Sequence, residues 1–593
     1  MPFGASVLAD GGVRFRLYAP SALRVAVVYA TEAGEARADM VRSADGFHET
    51  VVTHAAAGTT YRFDIDGLVA PDPASRYQPE GVHGPSLVVD PHAFAWNDDA
   101  WRGRSWNEHV FYELHVGTFT PEGTYAAAES KLDYLADLGV TALELMPLAD
   151  VPGTRNWGYD GVLPYAPSHN YGTPDELKRF VAAAHARNLA VYLDGVYNHF
   201  GPEGNYLHAY APEFYTERHH TPWGAAIDVE ADDRQSVRDF FIENAVYWLE
   251  EYRFDGLRFD AVHAIYDGPQ RRFLRELATT VRARVSRPVH LVLENEENES
   301  SLLGESAYRA QWDDDAHHAA HVAVTGQTDG YYSDYSPDTI ALLGRTLTQG
   351  FAYQNDPSPF RDNRLRGEPS ADLPHGSFVT FLQNHDQIGN RPFGDRITSL
   401  APDFAVRAML GVLLLAPSPP LLFMGEEWGA STPFLFFCDF EPELAQKVTE
   451  GRRGEFGTFA EFADPAARAR IPDPAAAATF AASKLRWDEL EREPHRAWHA
   501  YYRRLLAIRR NEIAPRIANA NGRYATYEAI GSYGLKARFR LDDGTTLALE
   551  TNLGNDAAPG FSSHPKGFVL FATHDPTFAN TIAPPWSVRW TLE

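Results

Sequence analysis

The stretch Asp255-Gly-Leu-Arg-Phe-Asp-Ala-Val-His263 sets an arginine two residues before an aspartate, between apolar neighbours. Leu257 and Phe259 alternate with Arg258 and Asp260, the pattern of a short buried strand that ends in polar residues. Successive strand side chains point to opposite faces, so Arg258 and Asp260 share one. A guanidinium beside a carboxylate keeps that carboxylate ionised. An ionised carboxylate fixed at the C-terminal end of a strand is what attack on a sugar carbon needs. Taken alone, these nine residues would serve equally as a structural ion pair.

Other strand ends carry similar groups. Asp194, Asn198 and His199 follow the apolar run Ala190-Val-Tyr-Leu, and His263 follows Asp260. Glu294 ends Leu291-Val-Leu-Glu, and Asn384, His385 and Asp386 follow Ser377–Leu382. Four strands delivering carboxylates and imidazoles to one rim is hard to explain structurally. A retaining glycosidase needs one permanently ionised carboxylate and one protonated carboxyl, about 5–5.5 Å apart. Arg258 serves the first need. Glu294 follows three apolar residues, and burial favours its neutral, proton-donating form. Asp386 is suited to bonding sugar hydroxyls and favouring ring distortion. Glu296 and Glu297 are rivals for the acid role, but they lie beyond the apolar run, in an expected loop.

These ends must be held by a regular scaffold. From Val110 the chain alternates strand and helix. Strands are expected at 110–116, 142–146, 190–194, at the Asp260 segment, and at 289–293, 377–382 and 420–424. Helices are expected at 125–138, 175–187, 243–251, 270–285, 404–414 and 499–510. Repeated strand–helix units imply a parallel sheet. Seven strands plus an eighth around Ala310-Gln-Trp312 would close a (β/α)8 TIM barrel, whose chemistry sits at the strands' C-terminal ends. Phe200–Arg238 is an insertion after the third strand; it carries Asn205, Tyr206, His219, His220 and Trp223, and such an insertion most often shapes a binding site. Residues 1–105 alternate in short runs (Val13–Tyr18, Arg24–Tyr29, Thr60–Ile65), as in a β-sandwich. Residues 515–593 read as a second β-domain, so the expected division is 1–105, 106–514 and 515–593.

Bulk properties narrow the function classes. A chain of 593 residues needs more than one core. Its net charge of −27 argues against nucleic acid and anionic membrane as partners. One cysteine, Cys438, rules out an intramolecular disulfide and a cysteine-based zinc site. The apolar run Met409–Met424 is broken by prolines and is too short for a membrane span. The N-terminus lacks a basic region followed by an apolar core, so a cytoplasmic protein is expected. Trp312-Asp-Asp-Asp-Ala-His-His318 reads as a metal site, as part of a substrate cleft, or as caps at a helix start.

The segments 194–199, 256–263, 291–294 and 383–386 resemble, in order, the four conserved regions of the α-amylase superfamily of glycoside hydrolases. The resemblance implies Asp260 as nucleophile, Glu294 as general acid/base and Asp386 as transition-state stabiliser. Arg258 would orient Asp260, and His199 and His385 would bind the sugar in the cleaved subsite. Tyr159, in Trp157-Gly-Tyr-Asp160, resembles the family's stacking tyrosine there. Asp194, Trp223, His263 and Asn384 complete the expected substrate-binding set. Asn198 resembles a calcium-ligating position, but no acidic calcium loop surrounds it, so neither metal nor cofactor is expected. The N-terminal β-domain and the segments 166–172, 197–206, 221–226, 260–265, 381–391 and 424–434 resemble the maltooligosyltrehalose trehalohydrolase branch. That branch implies α-glucan ligands, maltooligosyltrehalose first among them, and hydrolysis of the α-1,4 bond next to a terminal trehalose. An α-glucan branching or debranching enzyme, and more remotely a non-catalytic glycan-binding protein, are the alternatives.

Overall fold

The computed structural model describes residues 2–221, 224–304, 307–458 and 464–593. Trp223 lies outside the described residues. Eight parallel strands close a barrel in chain order: β1 (Phe111–Leu114), β2 (Ala142–Leu145), β3 (Ala190–Gly195), β4 (Gly256–Phe259), β5 (His290–Leu293), β6 (Ala310–Trp312), β7 (Phe378–Phe381) and β8 (Pro420–Phe423). β8 pairs with β1 to complete it. The expected eighth strand is present as β6. β2, β4, β6, β7 and β8 are buried at every position, as in a sheet covered on both faces.

The helices differ from expectation in informative ways. The single helix expected over 125–138 is two, Tyr125–Glu129 and Leu132–Leu138. At the break, the Ser130 hydroxyl donates to the Ala127 carbonyl at 2.6 Å, and such local side-chain bonds compete with helix continuation. The segment expected at 243–251 is the second half of a longer helix, Gln235–Glu251. The insertion after β3 folds in part as a hairpin, Tyr215–Thr221 with Gly224–Ile227.

The N-terminal region forms two antiparallel sheets, one of four strands and one of five. Val13, Phe15 and Leu17 of one and Tyr61, Phe63 and Ile65 of the other are buried, the inward set of a sandwich. The C-terminal region is a five-stranded antiparallel sheet with a two-stranded ribbon beside it. Among the described residues no helix is long and apolar enough to cross a membrane.

Candidate active site

β4 brings Arg258 into the barrel mouth with no solvent exposure. Its Nη1 donates to Asp260 Oδ1 at 2.9 Å and to both oxygens of Asp194, on β3, at 2.8 and 2.7 Å. Its Nη2 lies 2.8 Å from Glu294 Oε2, just past β5. The guanidinium is stacked over Trp312 of β6, 4.2 Å from the ring centre. One rigid fork therefore spaces carboxyls from three adjacent strands. Asp260 and Glu294 sit on its two terminal nitrogens, a spacing in keeping with the retaining geometry.

The backbone turns sharply after Asp260. Ala261 has φ 41° and ψ 51°, the left-handed region that non-glycine residues seldom adopt. The turn aims the Ala261 N–H at Glu294 Oε2, 2.8 Å away. The Ala261 N–H bond and the Arg258 ion pair both fall on Oε2, which leaves Oε1 as the oxygen suited to carry a proton. On the other side, Asn198 Nδ2 donates to Asp260 Oδ2 at 2.8 Å. Asn198 Oδ1 meets His199 Nδ1 at 2.6 Å, and His199 Nε2 meets the Tyr159 carbonyl at 2.9 Å. The asparagine considered as a calcium ligand thus fixes the candidate nucleophile.

The charges separate as acid and base chemistry requires. Burial works against the charge on Asp260, but Arg258, His199 and Asn198 together hold its pKa below the ordinary carboxylate value. Burial pushes Glu294 well above its ordinary value; Arg258 opposes this, while Asp260, Asp386 and Asp314 add to it. Asp386 is also raised by burial, against the pull of His385. Burial, opposed by Arg258, raises Asp194 to about 6.

The other expected residues fall into two groups. Tyr159, Asp194 and His385 meet: the tyrosine ring stacks on the imidazole at 5.0 Å between centres, and its hydroxyl donates to Asp194 Oδ2 at 2.6 Å. His263 stands beside the loop after β5, its Nδ1 accepting the Glu296 N–H at 3.4 Å. Asn384 is different. It is buried, and its Oδ1 caps the short helix His385–Gly389 by accepting the Gln387 N–H at 2.9 Å. Through that cap it helps position His385 and Asp386. Glu296 and Glu297 are about half exposed and both bond Arg361, at 2.7 Å each, which separates them from Glu294, whose side chain is 16% exposed.

The acidic run after β6 resolves into two roles. Asp313 caps helix Asp314–Thr325, and Asp315 is buried on Arg366 at 2.8 Å and on the Ala352 and Tyr353 N–H groups. Asp314 faces the site: burial, then Asp386, raise it to about 7. Among the described residues no group of three or more His, Cys, Asp or Glu side chains could hold a metal ion.

Two inward carboxyls escaped the sequence reading. Glu113 on β1 takes His385 with both oxygens, from Nδ1 at 2.5 Å and from the backbone N–H at 3.0 Å. Burial opposes the imidazolium, but Glu113 outweighs it and raises the His385 pKa. Glu144 on β2 is buried beside Glu113, and burial drives its pKa well up, toward the neutral acid. The available signal was a lone carboxylate inside each apolar strand, since a buried charge requires a partner or a proton.

The chain is 43% identical over 513 residues to a malto-oligosyltrehalose trehalohydrolase of Deinococcus radiodurans, covering 86% of this chain and 83% of that one. It is 38% identical over 591 residues to the enzyme of the same name from Saccharolobus solfataricus, covering 96% and 100%. The chain belongs to the malto-oligosyltrehalose trehalohydrolase family. A crystal structure from Salmonella typhimurium, described as a candidate alpha amylase, matches this trehalohydrolase-family chain with a TM-score of 0.93 and 43% identity, covering 100% and 99% of the two chains. Three family models match in sequence: carbohydrate-binding module 48 (isoamylase N-terminal domain) at 2–93, the alpha amylase catalytic domain at 91–242, and a domain of unknown function at 522–590. This trehalohydrolase-family chain thus carries its Arg258 fork within an eight-stranded barrel whose first part matches the alpha amylase catalytic domain.

Proposed function

We propose that the chain is a retaining glycoside hydrolase that cuts the α-1,4 bond joining a maltooligosaccharide to a terminal trehalose. Its substrates are maltooligosyltrehalose and related α-glucans. The single observation that carries the chemistry is the Arg258 fork, with Asp260 on one nitrogen and Glu294 on the other. Asp260, held ionised, attacks the anomeric carbon. Glu294, held protonated, gives its proton to the departing trehalose oxygen. Water, deprotonated by Glu294, then frees the maltooligosaccharide from Asp260. Asp386 bonds the sugar hydroxyls and stabilises the distorted ring. His199, His385, Asp194 and Tyr159 line the cleaved subsite, with Arg258 behind them. His263, Asn384 and Trp223 complete the proposed substrate-binding set. The domains in this reading are 1–105, 106–514 and 515–593, and the protein works in the cytoplasm without metal or cofactor.

The test is product analysis. Purified protein is incubated with maltotriosyltrehalose and, separately, with maltopentaose, with Asp260→Ala as the blank. Trehalose and maltotriose from the first, with little change in the second, is the expected result. Comparable cleavage of both substrates would overturn the trehalose specificity and leave a broader α-glucan hydrolase.

A further inference from the structure

A pocket of about 520 Å³ opens where the C-terminal sheet meets helices Asp403–Leu413 and His495–Ile508. It shares no lining residue with the site described above. Its volume falls in the roughly 300–1,000 Å³ range of small-ligand sites. Two rings form one wall: Phe404, 54% exposed, and Trp586, with centres 5.9 Å apart. The Trp586 indole is pinned by its N–H to Asn555 Oδ1 at 2.9 Å. Tyr501 and Phe571 form another, at 6.2 Å.

The charge of this pocket runs against that of the molecule. The chain has 80 acidic residues against 53 lysines and arginines. Yet the lining carries Arg407, Arg504 and His574, and no carboxylate. Neither arginine forms an ion pair with a carboxylate among the described residues. Instead each is laid on rings. Arg407 sits 3.9 Å from the centre of Trp498 and 5.0 Å from that of Tyr501, and Arg504 sits 5.1 Å from that of Phe571. Stacking fixes a guanidinium by its flat face and leaves the in-plane N–H edge for an oxyanion, where its fork matches phosphate. A neutral glucan would use the rings but leave both guanidiniums without a counter-charge.

We infer that this pocket binds a phosphate monoester of a sugar or a nucleoside, with the phosphate on Arg407 and Arg504 and the ring against Phe404 and Trp586. The site is independent of the proposed hydrolysis.

Calorimetric titration of the full-length Asp260→Ala protein tests it, with glucose 6-phosphate, adenosine monophosphate and maltotriose as probes. At least one ester is expected to bind saturably, more weakly as salt is raised, and the stronger of the two tells sugar from nucleoside. Binding is expected to weaken about tenfold or more in Arg504→Glu, and likewise in Arg407→Ala, while maltotriose titrates unchanged. Arg504 is exposed, so its replacement leaves folding intact even if that of Arg407 does not. In the otherwise native enzyme, Arg504→Glu is expected to hydrolyse maltotriosyltrehalose at the unsubstituted rate. Absence of saturable ester binding, or an unchanged affinity in Arg504→Glu, would overturn the inference. So would maltotriose binding that Phe404→Ala abolishes and Arg504→Glu spares, which would make the pocket a glucan groove.

Discussion

In the proposed mechanism Glu113 would reach the substrate only through His385, as a positioning residue. By taking Nδ1–H and the backbone N–H of His385, it leaves Nε2 for the sugar. Glu113→Gln should lower kcat by up to about a hundredfold with little change in KM, as steady-state kinetics would show. Stability supplies a second readout. The folded pKa of His385 is raised, so the pair's contribution is fully present below the unfolded value of about 6.5 and is lost as pH rises through the folded value. The stability gap between native and Glu113→Gln protein should therefore be widest at mildly acidic pH and narrow above it in denaturant titrations. A gap independent of pH would count against the pair. Asp314 makes a separate prediction about the acid. In the proposed mechanism activity needs Asp260 ionised and Glu294 protonated, so it would span the interval between a lowered and a raised pKa. Asp314, with a pKa of about 7, adds negative charge near Glu294 above that pH. Asp314→Asn should shift the alkaline limb of kcat/KM to lower pH, and an unmoved limb would sever the two groups.

At the scale of elements, the end of β4 concentrates the design. The strand delivers Arg258 and Asp260 to one face, and the left-handed Ala261 then turns its N–H back to Glu294. That conformation stores strain which the barrel overrides. Ala261→Gly should relieve it and raise stability by less than about 1 kcal/mol. Ala261→Val should lower stability by about 1–3 kcal/mol. Thermal unfolding of the two variants should move in opposite directions. The strands and the alternation of Arg258 with Asp260 were legible because period and burial are written in residue types. The Ala261 turn was not, since nothing in an alanine marks positive φ and only its neighbours force it. The cap made by Asn384 was not legible either, because a polar residue at a strand end serves a helix cap as readily as a substrate. Glu113 hid inside an apolar strand, where its partner lay 272 residues away. The break at Ser130 depended on one hydroxyl choosing a carbonyl. Elements and their chemistry could thus be read locally, while pairings across the barrel needed the fold.

At the scale of the molecule, the outer domains are fastened to the barrel by its helices. Phe3 packs edge-on against Phe240, and buried Arg76 lies 4.7 Å from the centre of Tyr165 and 4.8 Å from that of Tyr247, which tie the N-terminal sandwich to helix Gln235–Glu251 and the β-strand Leu163–Pro167. At the other end, the Trp590 indole N–H donates to the Gly411 carbonyl at 2.8 Å. A side chain at Gly411 would come within 2.9 Å of Phe571, so the C-terminal sheet approaches as closely as a glycine allows. One buried apolar cluster joins Phe15, Leu257 and Trp590, one residue from each region. An interface built like a core does not come apart at little cost. Removing residues 515–593 would uncover helix Asp403–Leu413 along its apolar face, leaving a barrel that aggregates rather than a smaller enzyme. The full chain should accordingly unfold in one calorimetric transition. A second, earlier transition, abolished by truncation at residue 514, would show instead that the C-terminal sheet melts on its own. Gly411→Val separates the two cases more finely. If the sheet and barrel unfold as one unit, the wedge lowers the single melting temperature; if they are separable, it lowers the earlier transition and leaves the later one in place.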